Sequence, residues 1–244
     1  MPINPLRILL IALGLLLLWQ AVIWATAIPP FLLPSPLAVA STLIDEYARL
    51  FTHALTTLQE IAAGLILGIL AGILTAFLLQ ACARLRPWLL PIILISQAIP
   101  VFALGPIFTL WFGYGMASKI LITLIIIYFP ITIAAYDGLR HTPPSWIHLA
   151  RSMDASPLAI LWHIRLPAAL PALASGIRVG ASIAPIGAVI GEWVGGSKGL
   201  GYLMTYGLAR MQTELMFAAL VILALITLAL YYSLDALLKR LINW

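Results

Sequence analysis

Residues 56–80 read TTLQEIAAGLILGILAGILTAFLLQ. Beyond Glu60 this run carries no charge and no proline. A helix needs about 20 apolar residues to cross the hydrocarbon core of a bilayer, and this stretch supplies them. Gly64, Gly68 and Gly72 recur at i, i+4 and i+8, so they form one smooth stripe that lets another helix approach closely. Farther along, Gly176 and Gly180, then Gly187 and Gly191, repeat the device. Such stripes say that two helices are buried in a bundle; they do not say what the bundle moves.

Comparable apolar runs give six candidate spans, at about residues 8–25, 56–80, 87–112, 118–136, 171–193 and 214–234. The whole chain agrees with that count. It has 244 residues, 63% hydrophobic and 9% charged, with a mean hydropathy of +1.10. Soluble domains carry about 25% charged residues, so a water-soluble domain, a disordered chain and a disulfide-stapled module are all excluded. The expected fold is an all-α polytopic membrane protein, one transmembrane domain over residues 1–244, with the lipid bilayer as its main solvent. Its net charge of +5 is scattered singly, which is no nucleic-acid footprint. Cys82 is the lone cysteine, and His53, His141, His148 and His163 lack metal-ligand spacing. Neither a metal nor another cofactor is expected.

Charge placement tests the topology. With both termini cytoplasmic, the inner side holds Arg7, Arg84, Arg86, Arg140, Arg151, Arg165, Lys239 and Arg240, with Arg178 near it. The outer side holds Arg49, Lys119, Lys198 and Arg210. Nine against four obeys the positive-inside rule, with basic residues in every inner segment. A cleavable signal peptide is the rival reading of the N-terminus, because Ala25-Thr26-Ala27 resembles a cleavage site. The apolar run is longer than a signal core, however, and Trp19 and Trp24 suit a membrane interface. After the break at Leu33-Pro34-Ser35-Pro36, the spacing of Leu43, Tyr47 and Leu50 predicts a short amphipathic helix on the outer surface.

Two features stand out at membrane depth. Pro91, Pro100 and Pro106 interrupt the third span, with Ser96 and Gln97 beside the middle break. A broken helix with polar groups near the midplane points to a substrate path; a packing kink is the alternative. Glu60 and Glu192 lie toward the outer ends of the second and fifth spans. Buried carboxylates are expensive and are candidates for the same path, with water or Arg210 as their solvating partner.

Residues 140–170 form the longest polar segment. Pro143-Pro144 opens a helix on which Trp146, Leu149, Ala150 and Met153 share an apolar face, with Arg151 beside them. Asp154-Ala155 turns the chain, Ser156 caps a second helix and Pro157 takes its first position. Ile164-Arg165-Leu166-Pro167 leads back to the membrane. A helix–turn–helix with apolar residues on the cytosolic side is a docking surface for a soluble partner.

At these residues the chain resembles the permease subunit of a binding-protein-dependent ABC importer. That family's loop signature is Glu-Ala-Ala, then Gly, then Ile-x-Leu-Pro. Here it stands as His148-Leu149-Ala150-Arg151, Asp154-Ala155-Ser156 and Ile164-Arg165-Leu166-Pro167. Leu33-Pro34-Ser35-Pro36, Ile99-Pro100, Leu110-Trp111-Phe112-Gly113 and Gly199-Leu200-Gly201-Tyr202 extend the likeness over nearly the whole chain. His148, Leu149 and Asp154 depart from the signature. Asp is among the few residues that replace glycine in a left-handed turn, so the turn is expected to survive.

The resemblance implies a type I importer permease whose coupling helix inserts into an ATP-binding subunit, with Trp146, Leu149, Ala150, Arg151, Met153, Asp154, Ala155, Ser156, Pro157, Leu166 and Pro167 at the contact. It implies two ATP-binding subunits, a second permease copy as a homodimer, an extracytoplasmic substrate-binding protein and a bacterial inner membrane location. The chain itself has no GxxxxGK[ST] loop, so the ATPase is expected on another polypeptide and this subunit is expected to be non-catalytic. Gln97-Ala98-Ile99-Pro100-Val101-Phe102-Ala103-Leu104 and Tyr136-Asp137-Gly138-Leu139-Arg140 are most similar to permeases for the pyrimidine precursor of thiamine. Relatives importing anions carry a basic residue where Glu60 stands, and a carboxylate there would repel sulfonate or nitrate. Tyr128, Phe102 and Phe129 are candidate aromatic faces for such a heterocycle. A sulfonate, taurine or nitrate permease is the alternative within the branch. Outside it stands an ion-coupled transporter using Glu60 or Glu192. An intramembrane enzyme is a poor reading, since no histidine lies inside a span.

Overall fold

A computed structural model describes residues 5–242, and the described residues are helical wherever they are regular. In chain order the helices are α1 (Pro5–Thr26), α2 (Pro36–Asp45), α3 (Tyr47–Ala81), α4 (Arg86–Ser96), α5 (Val101–Phe112) and α6 (Met116–Arg140). There follow α7 (Pro144–Ser152), α8 (Pro157–Ile160), α9 (Leu166–Gly195), α10 (Leu200–Ala209) and α11 (Thr213–Leu241). One π-helical turn, Leu161–Arg165, joins α8 to α9. Within the described residues α1, α3, α6, the α8–α9 run and α11 are each long and apolar enough to cross a membrane. The pair α4 and α5, bent by 100° between them, makes a sixth if it counts as one span.

The two glycine stripes explain the centre of the bundle. Both pack on α6, from opposite partners. A Cβ on Gly68 or Gly72 would come within 3.0 Å of Ile127 or 2.9 Å of Ile131. On the α9 side, a Cβ on Gly187 would lie 2.7 Å from the Thr123 Cα, and one on Gly191 2.9 Å from the Lys119 Cα. These are backbone approaches that only a missing side chain permits. Ile61, Ile127, Ile131, Ala184 and Ala188 fill the buried space between the three helices. α10 and α11 form a second, smaller core around Leu200, Leu203 and Leu215, against which Trp19 of α1 and Leu43 of α2 lean.

Three local expectations need correction. The amphipathic helix expected through Leu43, Tyr47 and Leu50 is divided at Glu46: α2 ends at Asp45, and Tyr47 and Leu50 already belong to the long α3. Only one of the three prolines of the third span breaks it. Pro91 and Pro106 sit inside α4 and α5, while the chain bends between Ser96 and Val101 at Pro100. α10 lies in a segment from which no helix was expected.

The bundle has two distinct ends. Gln80 and Ala81 of α3 meet α7 and the π turn at one of them. At the other, the first turns of α3, α6 and α10 come together, and Thr213 of α11 hydrogen-bonds the Pro30 carbonyl.

Candidate functional site

The α7 end is built as the sequence predicts. Pro144 occupies the first helical position of α7. Asp154 adopts φ +56°, the left-handed conformation that the turn requires. Ser156 Oγ accepts the Ala159 amide at 3.2 Å, capping α8 with Pro157 at its start. Of the four residues on the apolar face, Ala150 is buried and packs the hairpin down. Trp146, Leu149 and Met153 stand out at 49%, 64% and 75% exposure. With Pro167 and Ala168 they wall an apolar groove of about 340 Å³. Arg151 and Ala155 lie instead on a second cavity, on another side of α7. Leu166 is half-buried at the start of α9.

Midway along the bundle, the bend between α4 and α5 opens a cavity of about 340 Å³ whose lining includes Ser96, Ile99, Leu104, Tyr128 and Phe129. Tyr128 donates its hydroxyl to Thr75 Oγ1 at 3.1 Å, and the Tyr128 and Phe129 rings meet edge to face at 5.3 Å. Ser96 Oγ is turned back onto the Ile93 carbonyl at 2.8 Å. Gln97 and Pro100 at the bend and Phe102 beyond it are exposed, and none of the three lines the cavity.

Glu60 and Glu192 are placed elsewhere. Both are buried, 0% and 1% exposed, where α3, α6, α9 and the start of α10 converge. Lys119 Nζ donates to Glu60 Oε1 at 2.8 Å and to the Lys198 carbonyl at 3.1 Å. Glu192 accepts the Thr57 hydroxyl at 2.6 Å on one oxygen and the Gly201 amide on the other. Thr57 in turn accepts the Leu200 amide at 2.8 Å, and His53 Nδ1 accepts the Gly199 amide at 3.0 Å.

The physical logic is that of a helix start. The first amides of a helix have no partner within it. Here the amides of Gly199, Leu200 and Gly201 are satisfied by side chains of α3 and α9, and a carboxylate sits at the positive end of the α10 dipole. Gly199 has φ +117°, and a Cβ there would strike the Glu192 carboxylate, so glycine is needed twice over.

Lys119, Thr57 and His53 were missed as partners. Lys119 counts in the sequence among the outer-side charges, at the start of the span at 118–136, and in the structure it is inside α6 and 5% exposed. An unmatched lysine beside an apolar run was the available signal. Arg210, the expected partner of the carboxylates, lies instead over the Tyr206 ring at 4.5 Å. Lys119 meets one oxygen of Glu60, while the other, Oε2, is buried with no hydrogen-bond partner among the described residues.

Comparison with known proteins resolves the class. Residues 64–243 match the family model for the binding-protein-dependent transport system inner membrane component. The chain belongs to this family. The permease is 54% identical over 242 residues to a probable ABC transporter permease protein of Haemophilus influenzae, covering 99% of each chain. It is 37% identical to the formylaminopyrimidine transport permease protein ThiX of Halalkalibacterium halodurans, over 88% of this chain and 86% of that one. It is equally, 37%, identical to the riboflavin transport system permease protein RibX of Chloroflexus aurantiacus, over 94% and 87%. In fold it is similar to a chain of the MetNI methionine ABC transporter, with a TM-score of 0.71 at 22% identity, covering 80% of this chain and 97% of that chain. The permease is therefore a multi-pass ABC importer subunit of the MetNI-like all-helical type.

Proposed function

We propose that α7 is the lever of an ATP-driven importer, gripped from the cytosol by an ATP-binding subunit that this polypeptide does not contain. The observation that carries this reading is the exposed triad Trp146, Leu149 and Met153. Large apolar side chains on a short helix outside the spans lie where neither lipid nor the bundle covers them, and such patches mark protein interfaces. The turn at Asp154 and the cap at Ser156 hold that helix rigidly to α9, so a push on α7 reaches the glycine-packed centre. Trp146, Leu149 and Met153 make the contact, with Ala150, Leu166 and Pro167 as its footing. Arg151, Asp154, Ala155, Ser156 and Pro157 complete the hairpin. Both termini then lie in the cytosol. The working assembly holds two ATP-binding subunits, two copies of this permease and an external substrate-binding protein.

The cargo we infer is a flat nitrogen heterocycle, most closely the pyrimidine precursor of thiamine. The relatives named for formylaminopyrimidine and for riboflavin support that class. So does the cavity at the bend, where Tyr128 and Phe129 offer ring faces and Ser96, its proton given to the Ile93 carbonyl, offers an acceptor oxygen. Ser96, Gln97 and Pro100 mark the path. Glu60 and Glu192 brace the helices beside it.

Met153→Asp places a charge in the docking face without touching the bundle core. The expected result is loss of uptake and of co-purifying ATP-binding subunit, with the permease still inserted at its normal level. Undiminished uptake and co-purification would overturn the lever. For the cargo, titration of the cognate external receptor decides: tight binding of a pyrimidine is expected, and exclusive binding of a sulfonate would refute it.

A further inference from the structure

At the α7 end, two arginines share a cavity wall in which no carboxylate stands among the described residues. A cavity of about 470 Å³ lies between the last turn of α3 and the α7–α8 hairpin, with Gln80, Arg151, Leu158, Leu161 and Arg165 in its wall. Arg86 lies outside that wall, its guanidinium over the Tyr136 ring at 5.8 Å. None of these three arginines belongs to an ion pair among the described residues. Arg165 gives an N–H to the Leu139 carbonyl at 3.2 Å, and Arg86 gives its Nε to the Leu79 carbonyl at 3.3 Å. These partners are neutral and use a small part of the five N–H donors that each guanidinium carries. In the same wall, the side-chain oxygen of Gln80 is buried with no donor to it. The cavity thus presents several cationic donors that want an anion and one acceptor that wants a hydroxyl.

Its depth is set by its neighbours. Gln80 and Ala81 end a membrane-crossing helix, and Trp162, half exposed, stacks on Phe77 of that helix at 5.4 Å. Aromatic rings of this kind sit at the level of lipid headgroups. Basic pockets between helices on the cytoplasmic side recognise anionic headgroups.

We propose that this cavity binds the headgroup of an anionic phospholipid of the phosphatidylglycerol type. Its phosphodiester meets Arg151 and Arg165, its glycerol hydroxyl donates to Gln80, and its acyl chains run along α3 beside Phe77. A carboxylate of the docked ATP-binding subunit is the rival occupant. The lipid fits better because the docking groove of Trp146, Leu149 and Met153 is on a different side of α7 from this cavity. The proposal rests on the α7 end lying at a membrane surface, and it needs neither the cargo nor the ATPase reading to hold.

The test is to purify the full chain, with whatever subunits accompany it, from nanodiscs of equal phosphatidylglycerol and phosphatidylcholine, and to quantify retained lipid by mass spectrometry. Phosphatidylglycerol should be retained severalfold over phosphatidylcholine. Arg151→Gln and Arg165→Gln should each cut that retention about fivefold, while Arg165→Lys, which keeps the charge, should largely preserve it. Gln80→Leu should weaken phosphatidylglycerol but not phosphatidylethanol, whose phosphodiester carries no headgroup hydroxyl. Equal retention of both lipids, or retention unchanged in the arginine variants, would overturn the proposal. So would displacement by millimolar glycerol 3-phosphate, which would assign the cavity to a free phosphate ester, or loss of the lipid only when the ATP-binding subunit is present. Uptake measured in parallel reports on transport separately, so failure of one reading is not mistaken for failure of the other.

Discussion

The two ends of the bundle solve opposite problems. Around the start of α10, ionic and polar groups are taken out of solvent, and most are answered: one oxygen of Glu60 by Lys119, its other oxygen excepted, Glu192 by Thr57 and a helix amide, three backbone donors by side chains of other helices. At the α7 end the reverse holds. Trp146, Leu149 and Met153 are apolar and left uncovered, and Arg151 has no ion-pair partner among the described residues. A membrane protein completes its own internal polar network because an unmet charge costs several kcal/mol. It leaves an apolar face open where another molecule is to cover it. The first end reads as a brace and the second as a contact.

The largest effect should come from breaking the brace. Lys119→Met leaves Glu60 buried without a cation, and removing one partner of such a pair costs about 3–5 kcal/mol. The expected outcome is a large fall in the thermal transition in detergent, partly restored by Glu60→Gln in the same chain. A transition unchanged by Lys119→Met would contradict the pairing. Next comes the stripe: Gly187→Ala puts a Cβ 2.7 Å from the Thr123 backbone, and overpacking of this kind costs about 1–3 kcal/mol. Gly14→Ala, with nothing within 4 Å, should not lower the transition in the same assay. Thr57→Val removes both halves of the link between Glu192 and Leu200 and should cost about 1–3 kcal/mol, since a buried amide loses its acceptor.

The contact end should be far more tolerant. Ser156→Ala removes the α8 cap and costs about 1 kcal/mol. Asp154→Gly relieves the left-handed strain and should change stability by about 1 kcal/mol or less, with uptake retained. A large loss at either position, read by the same melting curves, would show that the α7 hairpin is part of the bundle's core and not a surface lever.

What could be read from the chain follows the same division. The α7–α8 hairpin was legible because its signals are local: Pro144 at a helix start, Ser156 as a cap three residues from the amide it meets, Asp154 at a turn. The spans were legible because lipid demands long apolar runs, and the glycine stripes because close packing demands small residues at fixed spacing. The brace was not. Lys119 and Glu60 stand 59 positions apart, and Thr57 and Glu192 stand 135 apart. No local pattern couples such residues. Nor could the sequence show that the chain turns by 100° at Pro100 while Pro91 and Pro106 stay inside helices, since that choice depends on which freed carbonyls the neighbours satisfy.

The most direct measurement of the central claim is a cross-link. With the exposed Cys82 replaced by serine, Met153→Cys puts a single thiol on the docking face in a chain otherwise intact. In membranes containing the assembled transporter, a short bifunctional reagent should join this position to the ATP-binding subunit, with a yield that changes when ATP is added. Labelling of the same thiol by a membrane-impermeant reagent applied from outside sealed cells, with no cross-link to that subunit, would contradict it.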